Sequence, residues 1–194
     1  MLTHGKIIIL AGVDGVGKTT LLDNLCRLRP QTLRRKVLTD PTAATSQTHE
    51  QLALEHARQW PDIAVEDTVI YDRFPWPDNW VYQRVFDGKT PSYMWSQEQL
   101  LIEKLCVLAG VLIIYVEPAV WGEYWARVRA NPDPYITPEA IQESIVPRYE
   151  LFLRNTKIPH ITVRNDFRAD NLAEATWPLI DAWFNLTKEL TSHG

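Results

Sequence analysis

The chain has 194 residues, of which 45% are hydrophobic, and this length and composition predict one compact domain over residues 1–194. A formal net charge of −4 argues against the general basic surface of a nucleic-acid-binding protein, and the apolar runs are too short to span a membrane. Two cysteines, Cys26 and Cys106, lack the spacing of metal ligands, so we expect them in the core of a reduced, cytoplasmic protein.

Short apolar runs alternate with amphipathic segments along the chain. This alternation is typical of a parallel sheet that is covered by helices on both faces. Strands are predicted at residues 6–11, 36–39, 68–71, 111–116 and 160–163. Helices are predicted at residues 18–29, 46–59, 79–86, 97–109, 120–130, 138–154 and 171–188. The sequence therefore predicts an α/β fold.

Residues 12–20, GVDGVGKTT, follow the first predicted strand and open the first predicted helix. They match the phosphate-loop pattern G-x-x-x-x-G-K-[ST], in which glycines let backbone N–H groups surround a polyphosphate. Lys18 supplies a positive charge for the β- and γ-phosphates, and Thr19 supplies a hydroxyl for Mg²⁺. The loop therefore predicts binding of a nucleoside triphosphate. Its predicted binding residues are Gly12, Val13, Asp14, Gly15, Val16, Gly17, Lys18, Thr19 and Thr20.

An acidic and a basic residue follow the third predicted strand. Asp72 and Arg73 lie at its carboxyl end, where open α/β sheets bind ligands. Asp72 is predicted to face the Mg²⁺ ion, and Arg73 to bind the phosphate of an acceptor. The alternative is an exposed ion pair that simply ends the strand. No glycine follows Asp72 as in a GTPase switch, and no Asn-Lys-x-Asp guanine-recognition motif occurs later, so a kinase is favoured.

Four motifs occur along the chain in this order: residues 12–20, the triplet Asp72-Arg73-Phe74, the pair Tyr82-Gln83 and the arginine-containing residues 121–129. Together they resemble thymidylate kinase and its phage and bacterial relatives, and the likeness covers most of the chain. The resemblance implies a three-layer α/β/α sandwich with about five parallel strands in the order 2-3-1-4-5 and a short helical lid near residues 125–137. It implies ATP and Mg²⁺ as cofactors. It also implies that Asp14 approaches the acceptor sugar and that Gln83 lies near the pyrimidine.

Two arginines, Arg127 and Arg129, lie in the segment that resembles the kinase lid. Phosphoryl transfer needs charge neutralisation on the transferred group, which a closing loop can supply. Because the phosphate loop has Gly15 where some relatives have an arginine, the resemblance implies a catalytic lid arginine; exposure to solvent is the alternative for each. Arg164 and Asp166, after the last predicted strand, would border the donor base or would simply end the strand.

The acceptor side departs from the family pattern. Residues 39–42 lack the arginine that relatives have after the second strand, so only the acidic role could be kept there, by Asp40. Phe74 and Trp80 are bulky where small hydroxyl residues are usual, and each would either stack on a base or pack in the core. Arg148 would reach toward phosphate or toward solvent. The acceptor pocket therefore differs from that of the family.

These features predict an ATP- and Mg²⁺-dependent kinase whose acceptor is a deoxynucleoside monophosphate, either dTMP or a modified pyrimidine analogue. The predicted catalytic residues are Lys18, Asp72, Arg73, Arg127 and Arg129. The predicted acceptor-binding residues are Asp14, Asp40, Arg73, Phe74, Trp80 and Gln83. The predicted metal ligands are Thr19 and Asp72, and the predicted contacts to the donor base are Arg164 and Asp166.

Two other functions stay open at this point. One is a kinase for a hydroxyl group, on a nucleoside or on a modified base in DNA, with Asp40 or Asp72 as the base. The other is a noncatalytic module that binds nucleotides. The expected partner is a small-molecule nucleotide, with nucleic acid as a partner only for the DNA kinase. No membrane partner is expected, and a homodimer is a further prediction.

Overall fold

The structure is a computed structural model that describes residues 4–36, 48–87, 94–132, 136–167 and 171–192. Its centre is a sheet whose strands are β1 (Lys6–Ala11), β2 (Thr32–Lys36), β3 (Thr68–Asp72), β4 (Leu112–Pro118) and β5 (His160–Asn165). The five strands are parallel and have the order β2-β3-β1-β4-β5. The predicted α/β class and the strand order 2-3-1-4-5 are confirmed.

Helices connect successive strands and flank the sheet. They are α1 (Lys18–Leu28), α2 (His49–Arg58), α3 (Pro75–Asp87), α4 (Gln97–Leu108), α5 (Trp121–Ala130), α6 (Pro138–Ala140), α7 (Val146–Asn155) and α8 (Leu172–Ser192). Helix α1 packs against α8, while α2 packs against α3 and α4, and α3 packs against α7. In the described ranges, no helix combines the length and the apolar character that crossing a membrane requires.

The three central strands form the core. Every residue of β3 is buried, and β1 and β4 are buried except for the partly exposed Lys6 and Glu117. In parallel strands that are covered by helices on both faces of the sheet, the side chains on both faces are buried, which explains their continuous apolar runs. The loops that follow β1 and β3 therefore start from rigid strands at the same edge of the sheet.

The second strand lies earlier in the chain than predicted. The sequence predicted residues 36–39, whereas β2 is Thr32–Lys36 and residues 37–39 lie outside the described residues. Pairing with β3, which ends with Lys36 opposite Asp72, determines this strand. Three of its five residues are basic, so the strand does not stand out in the sequence as an apolar run. A strand at the edge of a sheet tolerates such charged side chains because one side faces solvent.

The helix predicted at residues 138–154 is divided into three pieces. Helix α6 (Pro138–Ala140) passes into a π-helical turn, Ile141–Ile145, before α7 begins. Pro147 has no N–H group, so the regular hydrogen bond to the residue four positions earlier is not formed, and the wider turn accommodates this loss. The other helices start and end within a few residues of the predicted bounds.

Ion pairs join α8 to the start of β1 and the end of α1. Nζ of Lys6 lies 3.1 Å from Oδ1 of Asp181, and the Arg29 guanidinium binds the same carboxylate. Arg29 also lies 4.0 Å from the centroid of the Trp177 ring. The hydrogen bond from Arg29 is the largest cause that lowers the pKa of Asp181 to about 2; burial opposes it, and Lys6 adds to the lowering. The carboxylate is therefore charged over most of the pH range.

Candidate active site

The phosphate loop between β1 and α1 has a shape that only glycine permits at two positions. Gly12 has φ of 140°, and a Cβ there would lie 2.4 Å from the carbonyl oxygen of Val116 in β4. Gly17 has φ of 94° and is the N-cap residue of α1; a Cβ there would lie 2.5 Å from Nδ2 of Asn165. The loop is therefore packed closely between β4 and β5, with its opening at the N-terminus of a helix, where anions bind.

Lys18 lies inside this loop. Its Nζ donates to the carbonyl oxygens of Gly12, at 2.6 Å, and Val13, at 2.9 Å, and lies 3.7 Å from Oδ1 of Asp14. Burial lowers the pKa of Lys18, and the Asp14 carboxylate opposes this effect. The charge of Lys18 thus lies within the loop, where the sequence motif predicts the β- and γ-phosphates of a nucleotide.

Thr19 and Asp72 form the candidate metal site. The Thr19 hydroxyl donates to Oδ2 of Asp72 at 3.2 Å, and Oδ1 of Asp72 is buried without a hydrogen-bond partner among the described residues. Nη2 of Arg34, on β2, lies 3.8 Å from Oδ2. The part of the chain that the structure describes holds no group of three or more histidine, cysteine or acidic side chains that could enclose a metal. One carboxylate and one hydroxyl nevertheless fit Mg²⁺, which takes its other oxygens from phosphates and water.

Arg73 connects the end of β3 to the phosphate loop. Its backbone is in the left-handed region, with φ of 61°, and its guanidinium donates to Oδ1 of Asp14. Asp14 is in turn fixed from the other side, because the Tyr124 hydroxyl on α5 donates to its carbonyl oxygen at 2.7 Å. Lys18, Asp14 and Arg73 therefore form one continuous charged group. The structure brings the loop and the Asp72-Arg73 pair together, as the sequence predicted.

A further buried acid, Asp78, lies beside this group. It belongs to the first turn of α3 and is 3% exposed, and one of its oxygens accepts a hydrogen bond of 2.8 Å from the Tyr149 hydroxyl on α7. Burial raises the pKa of Asp78 to about 6, although Lys18, Arg73 and the Tyr149 hydrogen bond favour its charged form. The sequence analysis did not select Asp78 or Tyr149, because only the packing of α7 on α3 brings them together.

Solved structures of other proteins are similar to this fold. No protein-family model and no curated protein matches the chain. The YorR protein of Bacillus subtilis, crystallised in complex with phosphorylated GDP, is a similar solved structure: 22% identity, TM-score 0.64, covering 97% of this chain and 99% of that one. Polyphosphate kinase 2 from Arthrobacter aurescens TC1 superposes with a TM-score of 0.67 at 13% identity, covering 95% of this chain and 70% of that one. The chain has a P-loop kinase fold. The finer resemblance to thymidylate kinase stays a prediction.

The two arginines of the predicted lid lie on the exposed side of α5. The Arg127 guanidinium is 4.6 Å from the centroid of the Phe167 ring, which follows β5, and Arg129 is exposed. Residues 133–135, within the predicted lid, lie outside the described residues. Tyr124 attaches α5 to the phosphate loop, so the arginines project from an element that contacts the loop directly. Their catalytic role stays a prediction.

The predicted contacts to the donor base lie at the end of β5 and directly after it. Arg164 is exposed and its Nε donates to Oε1 of Glu117 at 2.8 Å, and Asp166 is exposed as well. The residue between them, Asn165, instead reaches the phosphate loop, where its Nδ2 donates to the carbonyl of Val16 at 2.8 Å. Asn165 was not among the predicted site residues. Its position at the carboxyl end of the last strand, the end at which the phosphate loop follows β1, is the sequence signal that could have identified it.

Of the remaining predicted acceptor residues, the structure describes the side chains of Phe74 and Trp80. Phe74 and Trp80 are both buried: Phe74 packs on the Tyr71 and Trp60 rings, and Trp80 lies under Arg148. The packing alternative is therefore favoured for both. Asp40 lies outside the described residues, as does the side chain of Gln83 in α3.

Arg148 points inward rather than to solvent. It is 3% exposed, its Nε donates to the backbone oxygen of Trp80 at 3.0 Å, and its guanidinium lies 4.1 Å from the centroid of the Trp80 ring. Because Arg148 and Tyr149 are neighbours on α7, this helix holds the first turn of α3 at two points, Trp80 and Asp78. The same contacts that build the core thus position a carboxylate at the site.

Proposed function

We propose that the chain is an ATP- and Mg²⁺-dependent kinase that transfers the γ-phosphoryl group to a nucleoside or nucleotide. The observation that carries this proposal is the contact of Arg73 with Asp14, which joins the phosphate loop to the carboxyl end of β3. A cation and a carboxylate thus meet where the carboxyl ends of β1 and β3 lie side by side. The P-loop kinase fold and the phosphorylated GDP bound by the YorR protein support a nucleotide ligand.

Each side chain has a role in this proposal. Lys18 and the loop N–H groups bind the β- and γ-phosphates, and the positive end of α1 faces the same charge. Thr19 and Asp72 would hold Mg²⁺, which when bound neutralises phosphate oxygens. Arg73 orients the acceptor through its guanidinium, and an arginine of α5, Arg127 or Arg129, would cover the transferred group. Positioning and charge account for most of the rate in such reactions.

The acceptor is the less constrained part of the proposal. The resemblance to thymidylate kinase favours a deoxynucleoside monophosphate, dTMP or a modified pyrimidine analogue. A hydroxyl acceptor is the second candidate, and a specific observation favours it: a buried carboxylate, Asp78, lies beside Lys18, Arg73 and Asp14. A carboxylate attracts a hydroxyl proton and repels a phosphate. A cytoplasmic location and a homodimer also remain proposals.

The test is a coupled assay of ADP release with purified protein, ATP, Mg²⁺ and a panel of deoxynucleosides and their monophosphates. We expect ADP release that depends on at least one acceptor, and a loss of about 100-fold or more in Lys18→Ala. The matched control is Lys104→Ala, which removes an exposed lysine of α4. Tight ATP binding without turnover on any acceptor would indicate a noncatalytic nucleotide-binding module and would contradict the proposal.

A further inference from the structure

One buried carboxylate, Asp14, lies in the phosphate loop, and a second, Asp78, lies in the first turn of α3. Asp14 and Asp78 are both more than nine-tenths buried, and the charge of Asp14 is one of the causes that raise the pKa of Asp78, after its burial. Oδ1 of Asp78 accepts from Tyr149, whereas its Oδ2 is buried with no hydrogen-bond partner among the described residues. A buried carboxylate oxygen without a donor is costly, and a ligand hydroxyl is a donor that would satisfy it.

The charges around Asp78 suit a neutral acceptor group better than a phosphate. Lys18 already contacts two loop carbonyls, and the Arg73 guanidinium already binds Asp14. The two cations therefore face two carboxylates, with no excess of positive charge among the described side chains of this cluster. A monophosphate would place a dianion beside Asp78, whereas a hydroxyl group would donate a hydrogen bond to it.

Helix α7 holds Asp78 in place. The Tyr149 hydroxyl fixes Oδ1, and Arg148 fixes the backbone two residues further along α3 through the Trp80 carbonyl. The carboxylate is thus oriented by a side chain and by the local backbone. A group that accepts a proton from a bound hydroxyl needs such a fixed orientation. Neither contact involves Thr19 or Asp72, so the position of Asp78 is independent of the candidate metal site.

We propose that the acceptor is the primary hydroxyl of a nucleoside or nucleotide, and that Asp78 binds this hydroxyl and takes its proton. This inference rests on the kinase function proposed above. In the transfer, the acceptor O–H bond breaks and its proton moves to Oδ2 of Asp78. The acceptor oxygen forms a bond to the γ-phosphorus of ATP, the bond from that phosphorus to the β,γ-bridging oxygen breaks, and ADP leaves with the electron pair.

A primary hydroxyl of this kind occurs at the 5′ position of a free deoxynucleoside and in a hydroxymethyl group on a pyrimidine base. The net charge of −4 favours a small acceptor over DNA. One compound, 5-hydroxymethyl-dUMP, carries both a hydroxymethyl group and a 5′-phosphate. Its product therefore reports which group the site selects, because phosphorus NMR distinguishes a phosphomonoester from a diphosphate.

The first experiment gives the protein ATP, Mg²⁺ and, in separate reactions, deoxyuridine, dTMP, 5-hydroxymethyl-dUMP and an oligonucleotide containing hydroxymethyluracil. We expect a new phosphomonoester on a hydroxyl of deoxyuridine or of 5-hydroxymethyl-dUMP. Diphosphates from dTMP and 5-hydroxymethyl-dUMP, without a monoester, would overturn the inference and leave the kinase function intact. Transfer only to the oligonucleotide would overturn the small acceptor, and transfer to none would overturn the kinase function itself.

The second experiment tests Asp78 with the accepted hydroxyl compound. We expect Asp78→Asn to lower kcat by about 100-fold or more while the Kd for ATP stays the same. The matched control, Asp62→Asn, changes an exposed aspartate and should leave kcat unaltered. A kcat within threefold of the wild type, in a variant that still binds ATP, would overturn the role of Asp78.

A second variant keeps the test open if Asp78→Asn does not fold. Tyr149→Phe removes the hydrogen bond that favours the charged carboxylate, so the pKa of Asp78 should rise and the acidic limb of the kcat–pH profile should move to higher pH. The charged and titratable groups around Asp78 are Lys18, Arg73, Asp14, Tyr82 and Tyr149. Only Tyr149 is changed. An acidic limb that does not move would contradict proton transfer to Asp78.

Discussion

The guanidinium of Arg73 donates to the carboxylate of Asp14, so the residue after β3 is bound to the middle of the loop after β1. These two strands are neighbours in the sheet, and their carboxyl ends meet at one edge. The contact places a cation from β3 against the phosphate loop without any contribution from the lid. The chemistry expected of the site therefore depends on a pair of residues that lie in the loops following two strands of the buried core.

Replacing Arg73 should weaken the use of the acceptor and leave the binding of ATP unchanged. Asparagine tolerates the left-handed backbone of this position, so Arg73→Asn removes the guanidinium without adding backbone strain. We expect kcat/KM for the acceptor to fall by about 100-fold, because an oriented charged donor is lost. The Kd for ATP, measured by calorimetry, should stay within about threefold of the wild type, since Lys18 is retained. Arg154→Asn, an exposed arginine of α7, is the control.

The close packing of Gly17 predicts a specific sensitivity to a methyl group. Gly17→Ala would place a Cβ 2.5 Å from Nδ2 of Asn165 in a left-handed backbone conformation. We expect a loss of about 1–3 kcal/mol in the free energy of unfolding and weaker ATP binding. Gly122→Ala, in α5, meets no atom within 4 Å and should stabilise the protein by about 0.5–1 kcal/mol. Urea unfolding of the two variants checks this, and equal effects would show that the loop is not closely packed.

Metal dependence should follow Asp72. We expect EDTA to abolish phosphoryl transfer and to leave the circular dichroism spectrum unchanged, because the Thr19–Asp72 contact forms within the protein itself. Asp72→Asn should raise the Mg²⁺ concentration for half-maximal rate by about tenfold or more, as the single carboxylate of the site is lost. A Mg²⁺ requirement that is unchanged in Asp72→Asn would exclude Asp72 as a ligand.

The ion pairs of α8 should make stability depend on pH. Because the folded pKa of Asp181 is lowered from 3.8 to about 2, its contribution is complete above pH 4 and is lost as the pH falls through 2. The carboxylate is one-third exposed, so solvent screening limits its contribution to about 1 kcal/mol. Urea unfolding should show this loss for Asp181→Asn at pH 7 and a smaller one at pH 3. A loss that is equal at both pH values would contradict the assignment.

The sequence was sufficient to predict those parts of the site whose residues are close to one another in the chain. The phosphate loop is a continuous motif, and Asp72 with Arg73 follows directly from a buried apolar strand, so both could be identified from neighbouring residues. The strand order followed from the family resemblance. In each of these features, the position of the side chains follows from the local backbone of one short segment.

The parts that the sequence did not reveal depend on contacts between distant segments. Asp78 and Tyr149 are 71 residues apart, and no pattern around either one indicates their hydrogen bond. The edge strand β2 is determined by pairing with β3 and not by its own polar sequence. The sequence left stacking on a base and packing in the core open for Trp80, and only the contact with Arg148 from the distant helix α7 shows the packing.

Transfer of label from γ-³²P-ATP is the most direct measurement of the proposed activity. Wild-type protein, Mg²⁺ and the acceptor panel should give a labelled nucleoside or nucleotide, and Lys18→Ala should reduce this product by about 100-fold or more while Lys104→Ala does not. Label that stays in ATP, or appears only as inorganic phosphate with every acceptor, would contradict a kinase. Equal transfer by the wild type and Lys18→Ala would contradict the role of the phosphate loop.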